Sequence, residues 1–208
     1  MPTISSTEAG AVGRYINLGS PASQDDIGAQ TCVAYCNPSG AAENNLGYFF
    51  GKAAGASYLR FNTNHNGGSP TFGFGASSSG SSLNPGASAP NNSLTYGVEQ
   101  HLAFTWDGSL NASNILLYND SGLLASATSD GSGALSSDAA SDLWLLNRDT
   151  SSRAFIGDVY YIARWSRILN WTELQNVFSN GPLAEPTGLI LLWANQQDYS
   201  TNALTPSS

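Results

Sequence analysis

Short segments that alternate between apolar and polar residues run through most of this 208-residue chain, separated by clusters of Gly, Ser, Asn and Pro. The clearest is Gln100–Trp106, in which Leu102, Phe104 and Trp106 alternate with smaller or more polar residues. An alternation of period two is typical of a strand with one buried face, and many short strands between turn-rich clusters indicate an antiparallel sandwich or barrel. The sequence therefore predicts an all-β protein.

The same pattern predicts ten strands, at residues 14–18, 31–36, 47–51, 57–63, 71–75, 100–106, 114–119, 143–147, 158–166 and 188–193. One short helix is predicted near residues 171–179, because Asn170 and Glu173 have the spacing of a capping box and Gly181-Pro182 supplies a stop. The polar segment Ser77–Asn92 predicts a long functional or mobile loop. Neither a second apolar core nor a linker is evident. We therefore expect one domain over 13–194, with an N-terminal extension at 1–12 and a C-terminal tail at 195–208.

The charge balance argues against two classes of partner. Lysine and arginine number 7 against 15 acidic residues, so the net charge is −8, and Lys52 is the sole lysine. Phosphate backbones and anionic lipid surfaces require clustered cations. We expect neither nucleic acid nor a membrane as partner. Residues 1–6 lack the basic and apolar stretches of a secretory signal, so synthesis in a host cytoplasm without a signal peptide is expected.

Cys32 and Cys36 lie on one predicted strand. Four residues along a strand span about 13 Å, whereas a disulfide requires Cα atoms within about 7 Å. We therefore predict two free, buried thiols that act as small apolar residues.

Five segments resemble the laminin-G-like, concanavalin-A-like jelly rolls, a family that includes the pentraxins. They are the opening strand Arg14–Gly19, a strand that ends in Asn37-Pro38, the strand and turn His101–Gly108, the hairpin Ile115–Leu124, and the closing strand and helix Phe155–Leu169 with Thr172-Glu173-Leu174. Together they cover about residues 13–193. The resemblance implies a two-sheet antiparallel jelly-roll sandwich with one short helix.

Some members of this family bind calcium through clustered carboxylates. Here Asp130, Asp138, Asp142 and Asp149 lie in predicted loops but match no calcium motif. We predict no metal and no other cofactor, and calcium remains the alternative.

The sequence lacks the usual signatures of hydrolases. A retaining glycosidase on a sandwich of this kind needs two carboxylates that face one groove, and no glutamate has a second carboxylate two residues away. A Gly-x-Ser-x-Gly elbow is absent, and the chain has two histidines. We predict no catalytic residues and no enzymatic activity.

Two functional hypotheses remain. The first is a bacteriophage virion surface protein, a capsid decoration or tail-associated component that contacts host glycans, other virion proteins and further copies of itself. The second is a free lectin-like carbohydrate-binding module. In either case the candidate ligand-binding residues are the aromatics Trp171, Tyr160, Trp144 and Tyr96, together with His65 in an Asn-rich turn.

Overall fold

A computed structural model describes residues 15–54, 57–78, 84–148 and 153–195, which form two antiparallel sheets and one α-helix. The strands are β1 (Ile16–Asn17), β2 (Gln30–Pro38), β3 (Leu46–Ala54), β4 (Ser57–Asn66), β5 (Ser69–Ala76), β6 (Gly86–Ser88), β7 (Gln100–Trp106), β8 (Leu116–Asn119), β9 (Gly122–Leu123), β10 (Ala127–Ser129), β11 (Leu143–Leu145), β12 (Gly157–Trp165) and β13 (Leu189–Ala194). The helix, α1, is Trp171–Asn180. The predicted two-sheet jelly-roll sandwich with one short helix is confirmed.

Neighbouring strands pair in the order β1-β11-β3-β4-β5-β6-β10 in a seven-stranded sheet and β13-β12-β2-β7-β8-β9 in a six-stranded sheet. Each of the ten predicted strands overlaps an observed one. The prediction missed β6, β9 and β10, which have two or three residues each and are too short to show alternation. The loop predicted over Ser77–Asn92 is therefore wrong in part, since β6 lies within it and pairs with β5 and β10.

The terminal predictions cannot be compared with the fold, because residues 1–14 and 196–208 lie outside the described residues. The extension at 1–12, most of the tail at 195–208 and the exact domain bounds stay predictions. Asn195 is described, and its backbone N–H donates to the carbonyl of Tyr160 at 2.9 Å.

The core lies between the two sheets and is rich in phenylalanine. Phe74 of the seven-stranded sheet stacks on Phe104 of the six-stranded sheet with ring centroids 4.0 Å apart. Cys32 and Cys36 are fully buried in this core, and both are free thiols as predicted. Their packing with aromatic rings is consistent with a role as small apolar side chains.

The helix covers part of the outer face of the six-stranded sheet. Its capping box forms as predicted: the Glu173 N–H donates to Asn170 Oδ1 at 3.1 Å, and the Asn170 N–H donates to Glu173 Oε2 at 2.8 Å. Leu174 and Val177 are fully buried against outward-facing residues of this sheet. No helix within the described ranges is long and apolar enough to cross a membrane.

A buried network of charged groups connects the two sheets at one end of the sandwich. Lys52 of β3 is fully buried, and its Nζ donates to the Gln24 carbonyl at 3.1 Å and pairs with Asp138 at 3.0 Å and with Asp25. Arg164 of β12 is also fully buried.

Arg164 approaches the same segment from the six-stranded sheet. Its Nη1 donates to Gln24 Oε1 at 3.0 Å and its Nε donates to Gln30 Oε1 at 2.9 Å. Burial lowers the pKa of Arg164 to about 10, and the guanidinium is still charged at neutral pH. The segment around Gln24 is therefore held by one cation from each sheet.

We expect Lys52→Met to destabilise the protein by about 3–5 kcal/mol, because it leaves the Asp25 and Asp138 carboxylates without their buried cation. The free energy of unfolding from urea denaturation measures the loss. A triple variant that also carries Asp25→Asn and Asp138→Asn removes the uncompensated charge and should recover part of the stability. A single variant as stable as the wild type would contradict the role assigned to the network.

Candidate functional site

Alternation along β4 and β5 leaves the outer face of the seven-stranded sheet open around Arg60. The neighbours of Arg60 on β4, Leu59 and Phe61, are buried in the core, so Arg60 faces outward. In the sheet register Arg60 pairs with Gly51 on one side and with Gly75 on the other. Gly75 leaves bare backbone beside Arg60, whereas the buried ring of Tyr48 lies over Gly51, where a Cβ would be 2.8 Å from Tyr48 Cδ2.

A second row of the same face runs from Tyr48 of β3 through Asn62 of β4 to β5 and β6. Asn62 pairs with Gly73, and Gly73 pairs with Ser88. Glycine is needed at this point, because a Cβ on Gly73 would lie 2.6 Å from the carbonyl oxygen of Ala87. The strands approach closely here, and their backbone forms the floor of the face.

Two cavities lie on this floor, and together we call them the outer groove. The larger has a volume of about 430 Å³ and includes Arg60, Asn84, Ser88, Thr128 and Ser129 in its lining. The smaller has a volume of about 60 Å³ and includes Arg60, Asn62, Asn64 and Ser88. The outer groove therefore presents amide and hydroxyl groups around one guanidinium.

Arg60 is the one charged residue that the strands of this sheet direct outward. Their sequences contain two cationic residues and no acidic residue, and the other cation, Lys52, is buried on the inner side. A planar guanidinium donates pairs of hydrogen bonds to carboxylates and to other oxyanions. Arg60 therefore contributes a guanidinium to the lining of both cavities.

Trp144 lies on the same outer face. Its neighbours on β11, Leu143 and Leu145, are buried in the core, so alternation directs Trp144 outward. It pairs with Gly51, which pairs with Arg60, so Trp144 is two strands, or about 10 Å, from Arg60. Its half-buried ring meets the edge of Tyr15 with centroids 4.7 Å apart. Of the predicted ligand-binding residues, Trp144 is the one that shares the face of the outer groove.

Tyr160 and Trp171 lie on the opposite side of the molecule, on the outer face of the six-stranded sheet. There four rings form an aromatic stack in the order Tyr160, Tyr35, His101 and Phe178, with successive centroids 4.7, 4.3 and 4.6 Å apart. Trp171 meets Phe178 edge-on and lies parallel to Tyr118 at 5.8 Å. Tyr35 and His101 each have a ring on both sides, so both of their faces are used in packing.

Glu99 fixes one end of this aromatic stack. Its carboxylate accepts hydrogen bonds from the Tyr35 hydroxyl at 2.6 Å and the Tyr160 hydroxyl at 2.8 Å. These bonds lower the pKa of Glu99. Further along the stack, His101 Nδ1 lies 2.8 Å from Asp120 Oδ1. Glu99 was not among the predicted site residues.

His65 and Tyr96 form a separate pair. His65 Nδ1 lies 2.8 Å from the Tyr96 hydroxyl, the rings are stacked at 5.9 Å, and burial raises the pKa of Tyr96. His65 is five positions from Arg60 on a regularly paired strand, so alternation directs it to the other side of the sheet. The five predicted ligand-binding residues therefore occupy three separate places, and their role in binding stays a prediction.

The acidic residues considered for calcium have other partners. Asp138 belongs to the buried network, Asp130 Oδ1 accepts from the Ala112 N–H at 2.8 Å, and Asp142 Oδ2 accepts from Asn17 Nδ2 at 2.9 Å. Asp149 lies outside the described residues. In the part of the chain that the structure describes, His, Cys, Asp and Glu form no group of three or more that could hold a metal ion.

A sequence signal for the outer groove exists in Phe72-Gly73-Phe74-Gly75. Here each inward position is a phenylalanine and each outward position is a glycine, which predicts bare backbone on the outer face. The position of Arg60 opposite these glycines requires the pairing of β4 with β5.

Comparison with known proteins finds no matching family model and no matching curated protein. Among solved structures, the chain is similar to the enzymatically active domain of tailspike protein 2 from bacteriophage CBA120. The two are 16% identical with a TM-score of 0.54, over 87% of this chain and 32% of that one. This chain thus spans about a third of the length of the tailspike domain.

The chain is also similar to the CBM40 module of the IT-sialidase from Ruminococcus gnavus, with 12% identity and a TM-score of 0.54 over 80% of this chain and 99% of the module. The same module bound to α2,6-sialyllactose gives 10% identity and a TM-score of 0.51 over 79% and 97%. At these identities the likeness is one of fold. It supports a two-sheet β-sandwich, whereas membership of the laminin-G-like family stays a prediction.

We expect the double substitution Tyr35→Phe and Tyr160→Phe to raise the pKa of Glu99, because both hydroxyl donors to its carboxylate are removed. In the wild type, the stabilisation from these bonds is present above the pKa of the unfolded chain and is lost as the pH falls through the lower folded value. A carbon-13 NMR titration of the Glu99 carboxyl measures the change. Tyr96→Phe removes a hydroxyl bound elsewhere, and it should leave the titration of Glu99 unchanged.

Proposed function

We propose that this protein is a non-catalytic glycan-binding component of a bacteriophage virion surface, and that the outer groove is its sugar-binding site. The observation that carries the proposal is the pair of cavities around Arg60, lined by amide and hydroxyl groups over bare backbone. The proposed virion location rests on glycan recognition.

Sugar hydroxyl groups are both donors and acceptors, and the outer groove offers both. The side-chain amide of Asn64 can donate and accept, as can the hydroxyls of Ser88, Thr128 and Ser129. Asn62 is buried and its Nδ2 donates to the Thr63 carbonyl at 3.1 Å. The glycine positions at the floor allow a ring to approach the backbone closely. Trp144 at the border of this face offers an apolar surface.

The lining of the outer groove favours binding over hydrolysis. Cleavage of a glycosidic bond commonly uses two carboxyl groups on either side of it. Among the described residues that line the two cavities, none is aspartate, glutamate or histidine. This composition supports a site that holds a glycan without cleaving it.

The fold comparisons support the same proposal. One similar structure is a bacteriophage tailspike domain, and another is a carbohydrate-binding module with sialyllactose bound. A groove of this kind holds a glycan through few contacts, and display of many copies on a particle raises the overall affinity. We therefore propose a virion location, as a capsid decoration or tail-associated component that assembles with copies of itself and with other virion proteins.

A free lectin-like module is the alternative, and the match to 99% of the CBM40 module favours it. Its support is that the fold of this chain matches nearly the whole of that module. The two proposals share the outer groove and differ in whether the protein is attached to a particle.

We expect Ser88→Tyr to reduce glycan binding at least about tenfold, because its ring would fill the space shared by both cavities. Tyrosine is favoured in strands, so the substitution suits β6. Binding of both proteins to an array of bacterial surface glycans measures the effect. Ser121→Tyr places the same ring in a turn of the six-stranded sheet and serves as the control. Equal loss in both variants, or none in Ser88→Tyr, would exclude the outer groove as the site.

We expect the protein to migrate with phage particles when a lysate of the source is separated on a density gradient. Mass spectrometry of every fraction follows the protein. Recovery only among small soluble species would contradict the virion location and favour the free lectin-like module.

A further inference from the structure

We infer that a cavity at one end of the sandwich binds a small organic cation, an amine carried on an apolar ring or chain. We call it the end cavity, and its volume is about 330 Å³. The residues that line it include Asp26, Leu59, Ala76, Trp106, Leu135 and Asp138. None of its lining residues lines the outer groove, so the inference does not depend on the proposed glycan-binding function.

Core side chains of both sheets form apolar walls of the end cavity. Leu59 of β4 and Ala76 of β5 are paired in the seven-stranded sheet, and Trp106 is the last residue of β7 in the six-stranded sheet. All three are buried, and Leu135 adds a side chain that is 36% exposed. The indole Nε1 of Trp106 already donates to the Ser109 carbonyl at 2.9 Å. The walls therefore suit an apolar ring or chain.

Two loops, one before β2 and one before β11, complete the end cavity and hold each other in place. The Asp26 N–H donates to Asp138 Oδ1, and the Asp138 N–H donates to Asp26 Oδ1, both at 2.9 Å. The second loop is also joined to the end of β5, because the Ser136 N–H donates to the Ser77 carbonyl at 3.0 Å. These bonds preorganise the walls, which lowers the ordering cost of binding.

Asp26 supplies a carboxylate at the wall of the end cavity. Its Oδ2 accepts from the Ser137 hydroxyl at 2.9 Å and its Oδ1 accepts from the Asp138 N–H, and both of these donors belong to residues that line the cavity. A carboxylate can accept about four hydrogen bonds. Asp138 pairs with Lys52, whereas Asp26 forms no ion pair within the described residues. Asp26 is also exposed, so its charge is available to a ligand.

The charge of Asp26 favours an ammonium group over a neutral hydroxyl. A hydrogen bond between two charged groups is roughly twice as strong as one between neutral groups, and apolar walls weaken the screening by water. Among the described residues, no lysine, arginine or histidine lines the end cavity. The net charge of −8 adds a general attraction for cations. An amine on an apolar body therefore matches both parts of the lining.

The test titrates the whole chain, labelled with nitrogen-15, with three small ligands and follows binding by NMR. Cyclohexylmethylamine carries the cation on an apolar ring, cyclohexylmethanol replaces the ammonium group by a hydroxyl, and methylamine lacks the ring. We expect cyclohexylmethylamine to bind about tenfold or more tightly than either of the others. Its binding should shift the indole N–H signal of Trp106 and the amide signals of Asp26 and Ser136.

Variants assign the preference for the amine to Asp26. The φ of Asp26 is 48°, a conformation that asparagine also tolerates, and the asparagine Oδ1 can still accept from the Asp138 N–H. Asp26→Asn should therefore bind the amine no more tightly than the alcohol, and it should bind the alcohol like the wild type. Asp120→Asn makes the same change of charge in the turn between β8 and β9, and it should retain the preference.

Each contrary outcome overturns a defined part of the inference. Equal binding of the amine and the alcohol by the wild type would overturn the cationic class of ligand. Equal loss of amine binding in Asp26→Asn and Asp120→Asn would overturn the role of Asp26. An unchanged Trp106 indole signal at saturating amine would overturn the end cavity as the site. Ser88→Tyr, which fills the outer groove, should bind the amine like the wild type, so failure here and failure of glycan binding are distinguishable.

Discussion

The buried pairing of Lys52 with Asp25 and Asp138 fixes the strands that carry the outer groove. Lys52 is anchored inward, so its neighbour Gly51 faces outward next to Arg60 in the sheet register. Asp138 precedes β11, which carries Trp144 on the same face. Because an uncompensated buried charge is costly, this network defines one orientation of β3 relative to its neighbours. The geometry of the outer face follows from that orientation.

The two outer faces of the sandwich differ in how far other residues cover them. On the six-stranded sheet, α1 covers one part, and the aromatic stack fills another. A register irregularity between Val159 and Tyr161 inserts Tyr160, which reaches Glu99 together with Tyr35. On the seven-stranded sheet, two glycines of β5 replace the outward side chains beside Arg60 and Asn62, while the Tyr48 ring covers Gly51 of β3. One face is thus closed by packing, while the other keeps space for a ligand.

Alternation in the sequence predicted the strands well, because each longer strand has one face in the core. It did not predict β6, β9 and β10, because a strand of two or three residues is too short to show the alternation of apolar and polar residues. The role of Tyr160 in ligand binding stays a prediction. Whether a ring face is free depends on neighbours far along the chain, such as Glu99, which is 61 residues from Tyr160. The surroundings of Arg60 depend on strand pairing in the same way, although the alternating glycines of β5 signal an open face.

The shape of the outer groove bears on how such a protein would be used. A site on the face of a sheet contacts one side of a glycan and leaves the other side in water, so part of the ligand's hydration is retained. Each contact then adds little affinity beyond the cost of ordering a flexible polymer. A repeating polysaccharide, however, presents the same unit many times. Copies of this protein fixed on one particle would engage several units together, and the gain from multivalency would compensate for weak single sites. A rigid sheet with a preformed groove is well suited to this mode, because binding requires no reorganisation of the backbone.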